Sequence, residues 1–120
     1  MLGPAPRGLL GGVRLSTDRF RPSDSAPALL ELRAGRLVDR RGLSEVLPVS
    51  YLDLELWRGK ERMGRLSRQR NLLPGRYTFG LTGRGPRGRR LSPGRYELRV
   101  LAYPPGDGPP SRENVEFTIR

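Results

Sequence analysis

Two stretches constrain this chain most: LLPGRYTFGL, residues 72–81, and LSPGRYELRV, residues 91–100. Each reads L-x-P-G-x-Y and then alternates apolar and polar residues. Proline presets its own φ and cannot donate to a ladder, so it belongs just ahead of a strand. Glycine accepts positive φ and completes a turn. The tyrosine is then the first inward residue of the next strand, and its hydroxyl can return to a backbone group a few residues upstream. The corner falls on Pro74, Gly75 and Tyr77 in the first copy and on Pro93, Gly94 and Tyr96 in the second. Its expected work is structural, anchoring strands that arrive over the end of a two-layer fold. The alternative is a pair of ligand-stacking tyrosines.

The same period of two runs through the rest of the chain. Leu52, Leu54 and Leu56 share one strand face, with Asp53 and Glu55 on the other. On a helix those leucines would scatter around the axis. Tyr77, Phe79 and Leu81 alternate with Arg76, Thr78 and Thr82. Tyr96, Leu98, Val100 and Ala102 alternate with Arg95, Glu97 and Arg99, and Val115, Phe117 and Ile119 face inward at the end. Shorter runs offer strands at GVRLS, with Val13 and Leu15 on one face, and at ALLELRA, with Leu30 and Leu32 inward. GRLVDRRG reads as a short strand or turn, and MGRL as a weak strand. Gly/Pro clusters separate these runs, and no amphipathic helix emerges. The expectation is all-β: a sandwich of seven or eight mostly antiparallel strands over residues 13–120, after a Gly/Pro-rich linker over residues 1–12. A closed barrel, the main rival, would need more uniform strand lengths.

Composition narrows the chemistry. At 120 residues the chain is one domain by length and can bury an apolar core without staples. It has no cysteine, hence no disulfide or thiolate site. It has no histidine, so the commonest general base and zinc ligand is missing. Ser–His and Cys–His catalysis are excluded within the chain. No metal, cofactor or small-molecule substrate is expected, and no apolar run is long enough to cross a membrane. The net charge of +11 points to an anionic polymer as partner. Yet 22 of the 23 cations are arginine, Lys60 being the exception, and such a skew also arises from the codon usage of a GC-rich genome.

Three groups of residues carry candidate chemistry. GRGPRGRR, residues 83–90, sets Arg84, Arg87, Arg89 and Arg90 among glycines in a loop. Guanidinium forks and loop amides can hold phosphate, sulfate or carboxylate; the plainer reading is a solvated turn. The motif lacks the Gly-Lys-Ser/Thr ending and following helix of a P-loop. Arg76, Arg95, Arg99 and Arg120 should point outward and, if neighbouring strands align them, form a basic stripe partly neutralised across strands by Glu97 and Glu116. Trp57 shares the parity of Asp53 and Glu55. It anchors an interface or stacks a sugar from that face, or it caps the core where the strand bends; the cap is the preferred reading. Asp53 and Glu55 are expected on an open strand face, which does not suit a paired-carboxylate cleft.

The run YTFGLTGRGPRGRRLSPGRYELRVLA, residues 77–102, resembles the immunoglobulin-like module of the flagellar hook-capping protein. It is also similar to modules at the C-terminal ends of bacterial secreted and cell-surface proteins. The shared pattern is a strand, a Gly-Arg loop, then a Gly-x-x-Leu/Val-x-Pro-Gly-x-Tyr strand. Thr82-Gly83-Arg84 and Gly88 through Tyr96 carry it, and VEFTI matches the final strand. The hook-cap modules have tryptophan and Asp-Gly where this chain has FGLTG, which moves the expectation from a flagellar role to a module appended to an exported hydrolase or surface protein. The resemblance implies an immunoglobulin/fibronectin-III-like β-sandwich and an extracellular or cell-surface location. It also implies a non-catalytic accessory role, spacing, stabilising or docking against another protein or the rest of its own polypeptide. The alternative is a polyanion-binding module using the loop arginines.

Overall fold

A computed structural model describes residues 8–23, 26–40 and 43–120. The described residues form ten strands and no helix. Strands β1 (Leu10–Leu15), β3 (Ala28–Ala34) and β8 (Gly75–Leu81) make an antiparallel sheet in the order β1-β3-β8. A second sheet contains β2 (Arg19–Phe20), β6 (Val49–Arg58), β7 (Glu61–Leu72), β9 (Gly94–Tyr103) and β10 (Ser111–Ile119), in the order β2-β10-β9-β6-β7. Its β2–β10 pair is parallel and its other pairs are antiparallel. Strands β4 (Arg36–Arg40) and β5 (Leu43–Leu47) form a separate hairpin. The architecture is thus all-β and sandwich-like.

The core follows from alternation. Leu30 and Leu32 of β3, Leu52, Leu54 and Leu56 of β6, Tyr96, Leu98, Val100 and Ala102 of β9, and Phe117 and Ile119 of β10 are all buried. Neighbouring strands in register put these residues at the same level, so each layer closes on the next. At one end Phe20 stacks on Phe117 with centroids 5.5 Å apart, and Phe117 stacks on Tyr96 at 5.7 Å. Tyr77 and Phe79 face the core but are only half-buried. Their strand, β8, is an edge of the smaller sheet, so one flank stays open.

The structure departs from the sequence expectation in three places. Leu9 and Leu10, assigned to the linker, lie in the core at 1% and 6% exposure. Glycines at 8, 11 and 12 surround them and hide a two-residue apolar signal. Residues 1–7 lie outside the described part. Ten strands replace seven or eight: β2 is too short to show a period, and GRLVDRRG belongs to the β4–β5 hairpin, with residues 41–42 outside the described part. MGRL is the middle of β7, a strand of 12 residues. Two register shifts against β6, at Leu54/Glu55 and Leu56/Trp57, reset the side-chain parity of β7 and erase its alternation. Those shifts and the arginines of β7 also blunt an exposed edge against strand addition.

Candidate functional site

The two corners are chemically alike and structurally unequal. Tyr96 is 2% exposed, and its hydroxyl donates to the Ser92 carbonyl at 2.7 Å. The Tyr77 hydroxyl donates to the Leu73 carbonyl with the same four-residue spacing, but from a half-buried ring. Glycine does different work in each. Gly94 has φ +145, a backbone most L-residues avoid, and a β-carbon there would meet Arg58 Nη2 at 2.8 Å. Gly75 has no positive φ, contrary to the expectation that both glycines supply one; Asn71, at φ 56 near the end of β7, is left-handed ahead of that turn. Asparagine tolerates this conformation better than most residues.

Arg58 carries no local sequence signal of its role. Its guanidinium lies across Gly94, donates to Ser92 Oγ at 3.0 Å and to the Tyr96 hydroxyl at 3.3 Å, and stands 5.1 Å from the Tyr96 ring centroid. It arrives from the end of β6, 38 residues from Tyr96, so no local pattern could announce it. The absent side chain of Gly94 was the available hint.

The Gly-Arg loop is a closed turn. Gly85 N–H donates to Arg89 O at 2.8 Å, Gly88 N–H to Gly85 O at 2.9 Å, and Leu91 N–H to Gly83 O at 2.9 Å. Gly83, at φ +76, packs against Pro22, where a β-carbon would lie 3.0 Å from the proline Cα. Arg84 spends a guanidinium donor on Gly88 O at 2.9 Å, which closes the loop on itself. Arg87, Arg89 and Arg90 are exposed and belong to none of the ion pairs among the described residues. All four loop arginines are exposed, and Arg84 differs in bracing the loop with one guanidinium donor.

The outer face of the five-stranded sheet is a plate of stacked cations, aromatics and carboxylates. Arg68 holds both oxygens of Asp53, Nε to Oδ1 at 2.7 Å and Nη2 to Oδ2 at 2.8 Å. Asp53 is only 3% exposed, so the expectation of an open carboxylate is corrected. Arg68, and Arg70 from the same strand, cover Tyr51 with centroid distances of 4.6 and 5.4 Å, and Tyr51 meets Tyr103 edge-on at 6.4 Å. The bond to Asp53 raises the Arg68 pKa above its ordinary value, against the opposing effect of burial. One row along, Glu55 accepts from Trp57 Nε1 and from Arg62, each at 3.2 Å. Arg99 stacks over Trp57 at 3.6 Å from the ring centroid and donates to Glu97.

Two expectations are corrected on this plate. Trp57 does not cap the core: β6 keeps its parity, and the indole stays on the outer face, half-covered by Arg99. The arginine stripe does not assemble, because Arg76 lies on the smaller sheet while Arg95 and Arg99 lie on the larger. Glu97 and Glu116 stand directly opposite each other, and Glu97 is neutralised along its own strand by Arg99. Parity predicts which face a residue takes, but only register decides which residues meet there.

The carboxylates of the plate are engaged by their neighbours. Both Asp53 oxygens and both Glu55 oxygens accept bonds from the protein. No group of three acidic residues with metal-binding proximity occurs among the described residues, and none contains a helix long and apolar enough to cross a membrane. In comparisons with known proteins, no family model matches the chain and no curated protein matches it.

Proposed function

We propose that the chain is an immunoglobulin/fibronectin-III-like accessory module of a larger exported bacterial protein, acting as a spacer and docking unit without chemistry of its own. One observation carries this reading: both L-x-P-G-x-Y elements return a tyrosine hydroxyl to the backbone four residues upstream, each at the entry of a strand. Such hydroxyl returns anchor strands in immunoglobulin-like sandwiches. The order β1-β3-β8 beside β10-β9-β6-β7 supports the same family of folds, since the chain passes from β7 to β8 in the other sheet and back to β9. Fold alone is an analogy for function, so the accessory role rests also on where the polar residues are used. Arg58, Arg68 and Arg84 brace the structure, and the carboxylates of Asp53 and Glu55 are bound by arginines. Docking by a sheet face is favoured over strand addition, because the long edge strand β7 is bulged and arginine-rich. In the rival reading, polyanion capture by the loop, one guanidinium donor of Arg84 is already spent on Gly88 O.

Deleting residues 9–120 from the polypeptide that carries them tests the proposal. The remainder is expected to keep its chemical activity per folded molecule while losing stability or retention at the cell surface. Loss of catalysis in a remainder that still folds would overturn the reading.

A further inference from the structure

The outer face of the three-stranded sheet carries two cations, Arg33 and Arg76, that no ion pair among the described residues uses. Strand register sets Gly11, Arg33 and Arg76 in one cross-strand row, and Arg14, Glu31 and Thr78 in the next. Arg14 is satisfied by Glu31, its Nη2 2.8 Å from the carboxylate. Arg33 and Arg76 are exposed, directly opposite each other, and in none of the ion pairs among the described residues. Like charges placed so oppose the pairing of their strands. Gly11 completes the arrangement. A β-carbon there would lie 2.7 Å from Arg33 Nη2, so the guanidinium lies across the bare glycine backbone. Around these residues is a shallow depression of about 630 Å³, which Thr78 also lines.

We propose that this depression binds an oxyanion, a sulfate or phosphate ester group, gripped by Arg33 and Arg76. Arg33 and Arg76 both line the depression, and two guanidinium groups suit the several acceptor oxygens of such a group, whose negative charge offsets theirs. Tyr77 is the one aromatic residue among those lining the depression, and its ring packs against the core. Base stacking is therefore not offered, which favours a bare anionic group over a nucleobase as the element recognised. This inference goes beyond the accessory role, which needs no ligand, and the two readings fail separately.

The test is a titration of the whole chain with sodium sulfate and with inorganic phosphate at constant ionic strength, followed by arginine Nε–Hε resonances. Arg33 and Arg76 are expected to shift, and Arg87 and Arg89 to stay. The double variant Arg33→Gln/Arg76→Gln should weaken binding about tenfold or more, and the control Arg87→Gln/Arg89→Gln, with the same net charge, by less than about twofold. Gly11→Ala keeps every charge but displaces the Arg33 guanidinium, and should weaken binding several-fold while circular dichroism and melting stay close to the parent. Equal losses in the two double variants would mean charge alone and overturn the site. So would a Gly11→Ala variant that binds as the parent does. A short heparin oligosaccharide that binds more tightly than inorganic sulfate, with the same variant pattern, identifies a sulfated saccharide as the source; inorganic phosphate binding at least as tightly as the oligosaccharide identifies free phosphate.

Discussion

Tyr96→Phe should destabilise this protein about twice as much as Tyr77→Phe, although the two tyrosines sit in the same motif. At Tyr96 the substitution removes the donor to Ser92 O at 2.7 Å and the acceptor of Arg58 Nη1 at 3.3 Å, in a residue 2% exposed. A typical hydrogen bond contributes about 1 kcal/mol net, and a buried carbonyl left without its donor costs about 1–3 kcal/mol. The expected loss is therefore about 2 kcal/mol at Tyr96. At Tyr77 the ring is half-buried and water can replace the hydroxyl at Leu73 O, so about 1 kcal/mol is expected. For a chain of 120 residues, 1 kcal/mol corresponds to about 4 °C in Tm, so the shifts are about 8 °C and about 4 °C. Urea unfolding followed by Trp57 fluorescence measures both, because the single tryptophan stacks under Arg99 only in the folded sheet. The hydroxyls lie on different sheets and share no partner, so the double variant should lose the sum to within about 0.5 kcal/mol. If Tyr77→Phe costs as much as Tyr96→Phe, or Tyr96→Phe less than about 0.5 kcal/mol, burial and Arg58 do not distinguish the corners and the reasoning fails.

Other expectations follow from the same geometry. Gly35→Ala should cost about 2 kcal/mol or more in urea unfolding, since φ is +77 and the β-carbon would lie 2.8 Å from Pro74 Cα. Leu98→Ala, at a fully buried site, should lose about 3 kcal/mol, whereas Trp57→Leu, outside the core, should lose less than about 1 kcal/mol. Arg68→Gln should destabilise more than Arg65→Gln because it strands the buried Asp53 carboxylate, and adding Asp53→Asn should recover part of the loss in a double-mutant cycle. The folded-state pKa of Arg68 is raised, so its contribution is fully present below the ordinary arginine value and is lost only as pH rises beyond the raised one. The cost of Arg68→Gln should accordingly be the same in melts at about pH 7 and about pH 9.

Local chemistry made much of this protein readable in its sequence. Alternation put Leu52, Leu54, Leu56, Leu98, Val100 and Phe117 inside, because a strand turns each successive side chain to the opposite face whatever it packs against. The Pro-Gly-x-Tyr spacing likewise announced two strand entries, since proline and glycine act on their own backbone. Tertiary structure decided what meets what. Arg58 reaches Tyr96 from 38 residues away, and Asp53 is buried because a neighbouring strand delivers Arg68. Arg33 faces Arg76 only because β3 and β8, far apart in the chain, pair in one register. Parity is a property of one strand, whereas register belongs to two, and the charges on the faces of this sandwich are arranged by register.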